Sequence, residues 1–136
     1  MSDPVSRFLI LSTTFLLGFA GVVFIFAPVE VAGAVGVPEP AGVALLVQLY
    51  GAALFGLAMS GWMVRDAVVG GIFGRSYVVG NAAHAGVGAL VLVRPAVSAG
   101  AASGLRAITL VYWLLALAFG YLMFIAVPQA RKRPEG

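Results

Sequence analysis

Long apolar runs, separated by short stretches of charge, proline and glycine, make up most of this chain. Residues 8–27 form one run without a charge, and residues 41–64 form a second with Gln48 as its only strongly polar member. Residues 105–127 form another, interrupted only by Arg106. The run 77–93 is shorter and extends backwards if Arg75 sits at an interface. A bilayer core about 30 Å thick takes roughly 20 apolar residues in a helix, and irregular backbone cannot face lipid with unpaired polar groups. The pattern therefore predicts an all-α fold, an integral membrane four-helix bundle. It is one transmembrane domain over 1–136, with helices at about 7–27, 41–64, 75–93 and 105–127.

The breakers stand where this reading needs them. Pro28, Pro38 and Pro40 end the first helix and begin the second, Arg94-Pro95 ends the third and Pro128 the fourth. The "VEVAGAVGV" stretch between the first two helices is expected along the interface. Arg7 before an apolar run resembles a signal peptide, but the run is longer than a usual signal core and is expected to stay as a helix.

Helical spacing places i, i+3, i+4 and i+7 on one face. In the third helix that face carries Tyr77, Asn81, His84, Gly88 and Val91, beside a smooth stripe of Ala82, Gly86, Ala89 and Val93. The second helix aligns Ala44, Gln48, Gly51, Ala52, Phe55, Met59 and Trp62. The fourth aligns Thr109, Tyr112, Trp113, Ala116, Gly120 and Met123, and the first has a smaller face of Thr14, Gly18 and Gly21. These faces are expected to point inward, because small residues let membrane helices approach closely.

Composition and charge agree with a membrane setting. The chain is 62% hydrophobic and 10% charged, with a mean hydropathy of +1.07, whereas soluble domains are about a quarter charged. The net charge of +3 could suggest nucleic acid, but no basic patch interleaved with aromatics is present. Arg7, Arg65, Arg75, Arg131, Lys132 and Arg133 fall on one side of the predicted topology, and Arg94 and Arg106 on the other. The positive-inside rule then puts both termini in the cytoplasm. The terminal Arg131-Lys132-Arg133 run reads as an electrostatic anchor to lipid.

The chemistry on offer is sparse. There is no cysteine, so disulfides, thiolate nucleophiles and cysteine-ligated metals are excluded. No paired carboxylates, HExxH, P-loop, GxSxG or Ser–His–Asp set can be assembled, so no enzyme and no cofactor is expected. A single histidine cannot supply a zinc site, which takes three or four protein ligands. His84 is nonetheless the most informative residue, since ionisable groups inside a membrane are costly and mark candidate sites. It serves as a ligand, a proton relay or a haem-axial group, or it hydrogen-bonds Asn81, Thr109 or a backbone carbonyl to fix helix packing. Gln48, Phe55, Asn81, His84, Tyr112 and Trp113 together make the candidate ligand pocket. Arg65 and Arg75 make a candidate lipid-headgroup clamp, set against a plain topological and ion-pairing role.

The run from Leu49 to Ala67, "LYGAALFGLAMSGWMVRDA", followed by "RSYVVGNAAHAGVGAL", resembles small bacterial four-helix membrane proteins that are grouped loosely with DoxX-like proteins. The resemblance covers about half the chain and implies an accessory role in a membrane redox assembly. It carries no site residue over. The first functional expectation is a non-enzymatic subunit or scaffold, in a homo-oligomer or with other membrane subunits, with membrane lipids and no nucleic acid as partners. The alternative is a binding or transport protein for a lipid or small hydrophobic molecule near His84. A haem- or pigment-binding subunit using His84 ranks third.

Overall fold

Pro4 opens the first helix, where its missing N–H is no loss and its fixed φ suits the first turn. The computed structural model describes residues 4–38, 42–67 and 69–127. Its elements are α1 (Pro4–Phe26), α2 (Pro28–Ala34), α3 (Val43–Val64), α4 (Ile72–Ala96) and α5 (Ser103–Tyr121), which runs on into a π-helical turn at Leu122–Ala126. Among the described residues there is no strand. Counting the π turn with α5, α1, α3, α4 and α5 span 22 to 25 residues and are long and apolar enough to cross a membrane. Pro40, Pro128 and the Arg131-Lys132-Arg133 cluster lie outside the described residues.

Local chemistry explains the boundaries. Pro28 cannot donate a helical hydrogen bond, and its ring pushes the preceding residue out of the helical region. Ala27 accordingly adopts φ −130°, ψ 51°, separating α1 from α2. The interfacial segment expected after the first span is thus in part a short helix. It closes with Gly36 at φ +74°, whose amide bonds the Gly33 carbonyl at 3.0 Å while Val37 N–H reaches Ala32 at 3.0 Å. That pairing is a Schellman turn, which favours glycine at the left-handed position. Helix α4 runs three residues beyond the expected end at 93, because Pro95 forfeits only its own N–H. The Val93 and Pro95 carbonyls still accept from Val97 at 3.1 Å and Ser98 at 3.4 Å.

Packing divides the bundle into two antiparallel pairs, α1 on α3 and α4 on α5, with α2 lying on α3 and touching α5. The α1–α3 seam is made of small residues. A methyl group added to Gly21 would sit 2.8 Å from the Phe55 amide nitrogen and 2.9 Å from the Gly51 carbonyl oxygen. One added to Gly51 would sit 2.7 Å from Phe24 Cβ. The backbones therefore touch, as small residues allow between membrane helices. Further along, Gly18 meets Ala58, and Thr14 and the Tyr77 hydroxyl crowd the space a side chain at Gly61 would need.

The buried face of α1 mixes small and hydroxyl-bearing residues with Ile10 and Leu17, and most of its phenylalanines lie outside. Ser6, Thr13, Thr14 and Gly21 of α1 are buried, whereas Phe8, Phe15, Phe19 and Phe26 face outward, Phe19 at 73% exposure. Water would not tolerate so much contiguous apolar surface. Two buried threonine hydroxyls are satisfied within their own helices: Thr14 donates to the Ile10 carbonyl at 2.8 Å and Thr109 to the Leu105 carbonyl at 2.7 Å. A core of Ile10, Val69, Tyr77, Val78, Phe119, Leu122 and Val127 joins the two pairs at the end where α1 begins. The π turn shapes this core. A turn of i→i+5 spacing brings Val127, five residues after Leu122, onto the buried face.

Three inner faces differ from the spacing argument; on α5 Thr109 and Tyr112 are buried as expected, but Trp113 is exposed and Phe119 and Leu122 are buried. On α3 the buried set is Gly51, Leu54, Ala58 and Gly61, while Gln48, Ala52, Phe55, Met59 and Trp62 are exposed. The face is turned because the glycines that touch α1 outrank the aromatic and polar positions. On α4 the buried set is Gly74, Tyr77, Val78, Asn81, Ala85, Ala89 and Ala96, with Val91 exposed. The true face runs between the polar and small stripes.

The seam yields a direct test. Gly51→Ala should lower stability by about 1–3 kcal/mol, the usual cost of overpacking a tight contact. Gly56→Ala should leave it unchanged or raise it slightly, because a methyl there meets nothing within 4 Å. Reversible unfolding in micelles, followed by circular dichroism, measures both.

Candidate functional site

Three helices each send one polar ring to a common point. Tyr50 comes from α3, His84 from α4 and Tyr112 from α5. The Tyr112 hydroxyl lies 3.1 Å from His84 Nε2, and the Tyr50 hydroxyl lies 3.4 Å from the same nitrogen. The two tyrosine hydroxyls are in direct hydrogen-bond contact with each other. The rings gather around this centre, His84 and Tyr112 tilted with centroids 5.5 Å apart and Tyr50 and His84 stacked at 6.2 Å. Phe24 of α1 leans on Tyr50 at 6.0 Å.

The sequence permits this convergence at specific positions. Tyr50 stands seven residues inside α3, Tyr112 nine inside α5 and His84 twelve from either end of α4. Each is therefore about 10 Å or more from its nearer helix end at 1.5 Å per residue. Gly88, one turn after His84, faces the Tyr112 ring, and a methyl there would overlap it. The glycine is what lets Tyr112 lie flat against α4 and reach the imidazole.

The cluster is closed on one side and open on the other. Tyr112 is 9% exposed and Tyr50 38%, with His84 between them. Few residues of α3 and α4 touch directly. Beside the site Ala53 and Gly80 are exposed, and a methyl at Gly80 meets nothing within 4 Å. His84 Nδ1 has no hydrogen-bond partner among the described residues and is not enclosed, unlike the unpaired hydroxyls of Ser6 and Tyr77.

Of the residues named as a pocket from sequence, His84 and Tyr112 meet here. Gln48 lies outside and donates from Nε2 to the Ile25 carbonyl at 3.1 Å, fastening α3 to the end of α1. Asn81 is buried, at 2% exposure, and donates to the Tyr77 carbonyl of its own helix at 3.0 Å. Phe55 and Trp113 face outward, Trp113 being one position and so about 100° away from Tyr112 on α5. Tyr50 was not among the named residues. Its signal was a hydroxyl-bearing aromatic within an apolar span, on the edge of the face used by Leu54 and Gly61.

Arg65 is engaged locally. Its Nε lies 3.3 Å from Asp66 Oδ2, its Nη1 donates to the Trp62 carbonyl at 2.7 Å, and its guanidinium stacks on the Trp62 ring at 4.4 Å. Arg7 approaches the other Asp66 oxygen at 3.2 Å, so one carboxylate ties α1 to the α3–α4 connection. Such exposed pairs contribute about 0–1 kcal/mol. Arg75 is exposed in the first turn of α4. Among the described residues no group of three or more His, Asp or Glu side chains is gathered to hold a metal. The chain matches no family model, no curated protein and no solved structure.

The chain's one histidine makes the cluster directly observable. In protein labelled with 15N only at histidine, Tyr112→Phe should shift the His84 Nε2 resonance. Gly88→Ala should produce a similar shift by displacing the Tyr112 ring, and Gly86→Ala, where a methyl meets nothing within 4 Å, should leave the spectrum unchanged. An unmoved resonance in Tyr112→Phe would refute the contact.

Proposed function

We propose that this protein is a multi-pass protein of a bacterial inner membrane, with both termini cytoplasmic, that binds a lipid or small hydrophobic molecule at Tyr50, His84 and Tyr112 without transforming it. One observation carries the reading. Three polar side chains from three different helices meet deep within the spans, and two of them remain open on the α3–α4 side. A packing device would be enclosed by the helices it joins, as Asn81 is. Polar groups at bilayer depth are costly when unmatched, so an open cluster there favours a guest that brings its own polar atom.

Membrane orientation rests on the distribution of arginine. Arg7, Arg65 and Arg75 gather at one end, and Arg94 and Arg106 at the other. The absence of cysteine and of any catalytic motif in the sequence supports a non-enzymatic role.

A second reading, that of a scaffold within an oligomer or a larger complex, is favoured by one surface feature. Ala52, Gly56 and Ser60 recur every fourth residue on the outside of α3, and Gly56 faces open space. Such a row admits another helix at close range.

Native mass spectrometry from nanodiscs separates the two. A bound mass beyond bulk lipid, lost in His84→Ala while the fold persists, is the expected result. A bare symmetric oligomer in both proteins would sink the binding reading in favour of the scaffold.

A further inference from the structure

The hydrogens of the cluster can be counted. Tyr50 and Tyr112 each bring one O–H, and a neutral His84 brings one N–H, so three donors serve a triangle made of two hydroxyl oxygens and Nε2. With the ring proton on Nδ1, Nε2 accepts from tyrosine, the two O–H groups are used within the triangle, and Nδ1–H is left over. With the proton on Nε2, that nitrogen donates and can no longer accept. A closed ring of three bonds is then impossible, and one hydroxyl hydrogen is left over. It falls to Tyr50, since Tyr112 is the enclosed partner. Either tautomer leaves one donor unpaired, and both candidates, Nδ1 and the Tyr50 hydroxyl, belong to the two partly exposed residues.

The surroundings restrict what can meet that donor. Helix α3 carries no charged residue, Arg75 and Arg94 stand nine and ten residues from His84, and Arg106 stands six before Tyr112. An anionic guest would have no counter-charge at the site, and a cationic one no carboxylate. An apolar guest would leave the donor unmatched in a medium without water, which costs free energy. The exposed Ala53 and Gly80 leave lateral room on the lipid-facing side.

We propose that the guest is a neutral hydrophobic molecule bearing a carbonyl oxygen, which accepts the one unpaired hydrogen of the Tyr50–His84–Tyr112 cluster from the α3–α4 side. This rests on the binding reading above and narrows its chemistry. The same acceptor chemistry is found in a lipid ester and in a free ketone.

The test uses the full chain in nanodiscs of ether-linked lipids, which contain no ester carbonyl, with a long-chain methyl ketone labelled 13C at its carbonyl. Infrared spectra should show a second, red-shifted carbonyl band. The ketone should be retained roughly three- to tenfold better than the alkane of equal length, the range a single neutral hydrogen bond provides. The triple variant Tyr50→Phe, His84→Leu, Tyr112→Phe removes every hydrogen of the cluster and should lack the band, whereas either single variant, Tyr50→Phe or His84→Leu, still leaves one unpaired hydrogen. A band that survives in the triple variant, or no shifted band in the wild type, overturns the proposal.

Equal retention of alkane and ketone would leave the binding reading standing and remove the carbonyl preference. Retention of neither would remove both. If the triple variant does not fold, the 15N signals of His84 in unaltered protein replace it. Ketone should move them and alkane should not, and no movement with ketone overturns the proposal. Repeating the experiment in ester-linked lipid separates the two sources. Loss of the ketone band with retained lipid masses assigns the site to a lipid ester, and persistence of the band assigns it to the free molecule.

Discussion

The contact of Gly21 with Gly51 sets the distance between α1 and α3, and much of the remaining geometry follows from that distance. Two helices whose backbones touch leave little volume for large side chains at that level, so Phe8, Phe15, Phe19 and Phe26 point outward while Phe24 packs beside the seam against Tyr50. Helix α3 must then present Gly51, Leu54, Ala58 and Gly61 to the interior. This rotation is what brings Tyr50 to the edge of the face turned toward α4. A larger residue at either glycine would part the helices and move Tyr50 with them. Small-residue contact organises the α1–α3 pair, while burial of Ile10, Tyr77, Val78, Phe119 and Leu122 joins it to α4 and α5.

On the other side of the molecule, Gly88 plays the matching part between α4 and α5. It brings the Tyr112 ring against α4, so that two tyrosines arrive at His84 from opposite neighbours. The imidazole is held without any carboxylate, and its surroundings are aromatic. The cluster is suited to hydrogen bonding and provides no fixed charge with which to stabilise a developing one.

Helix positions were legible from the apolar runs because length and continuity decide a span. Their ends shifted by a few residues where prolines act on a single N–H, at Pro4 and Pro95. The inner face of α1 was legible in Thr14, Gly18 and Gly21. That of α3 was not, since Phe55, Met59 and Trp62 lie at a helical spacing indistinguishable from a core stripe, and only the touching glycines settle which stripe faces inward. His84 and Tyr112 stood out by type. Tyr50 did not, because its role depends on a neighbour 34 residues away in sequence. Asn81 drew notice as a lone amide, yet its hydrogen bond is to its own helix. One sequence does not show which polar groups reach across a bundle and which are satisfied at home.

The π turn at Leu122–Ala126 has a consequence for how the end of α5 packs. A turn of that kind is an α-helix that has accommodated one additional residue without disturbing the register before it. Everything from Ser103 to Tyr121, including the ring at Tyr112, keeps its orientation whatever follows. The segment beyond is re-aimed by roughly the angle of one residue. The turn thus delivers Leu122 and Val127 together to the core shared with Ile10 and Val78, while the polar centre upstream keeps its place.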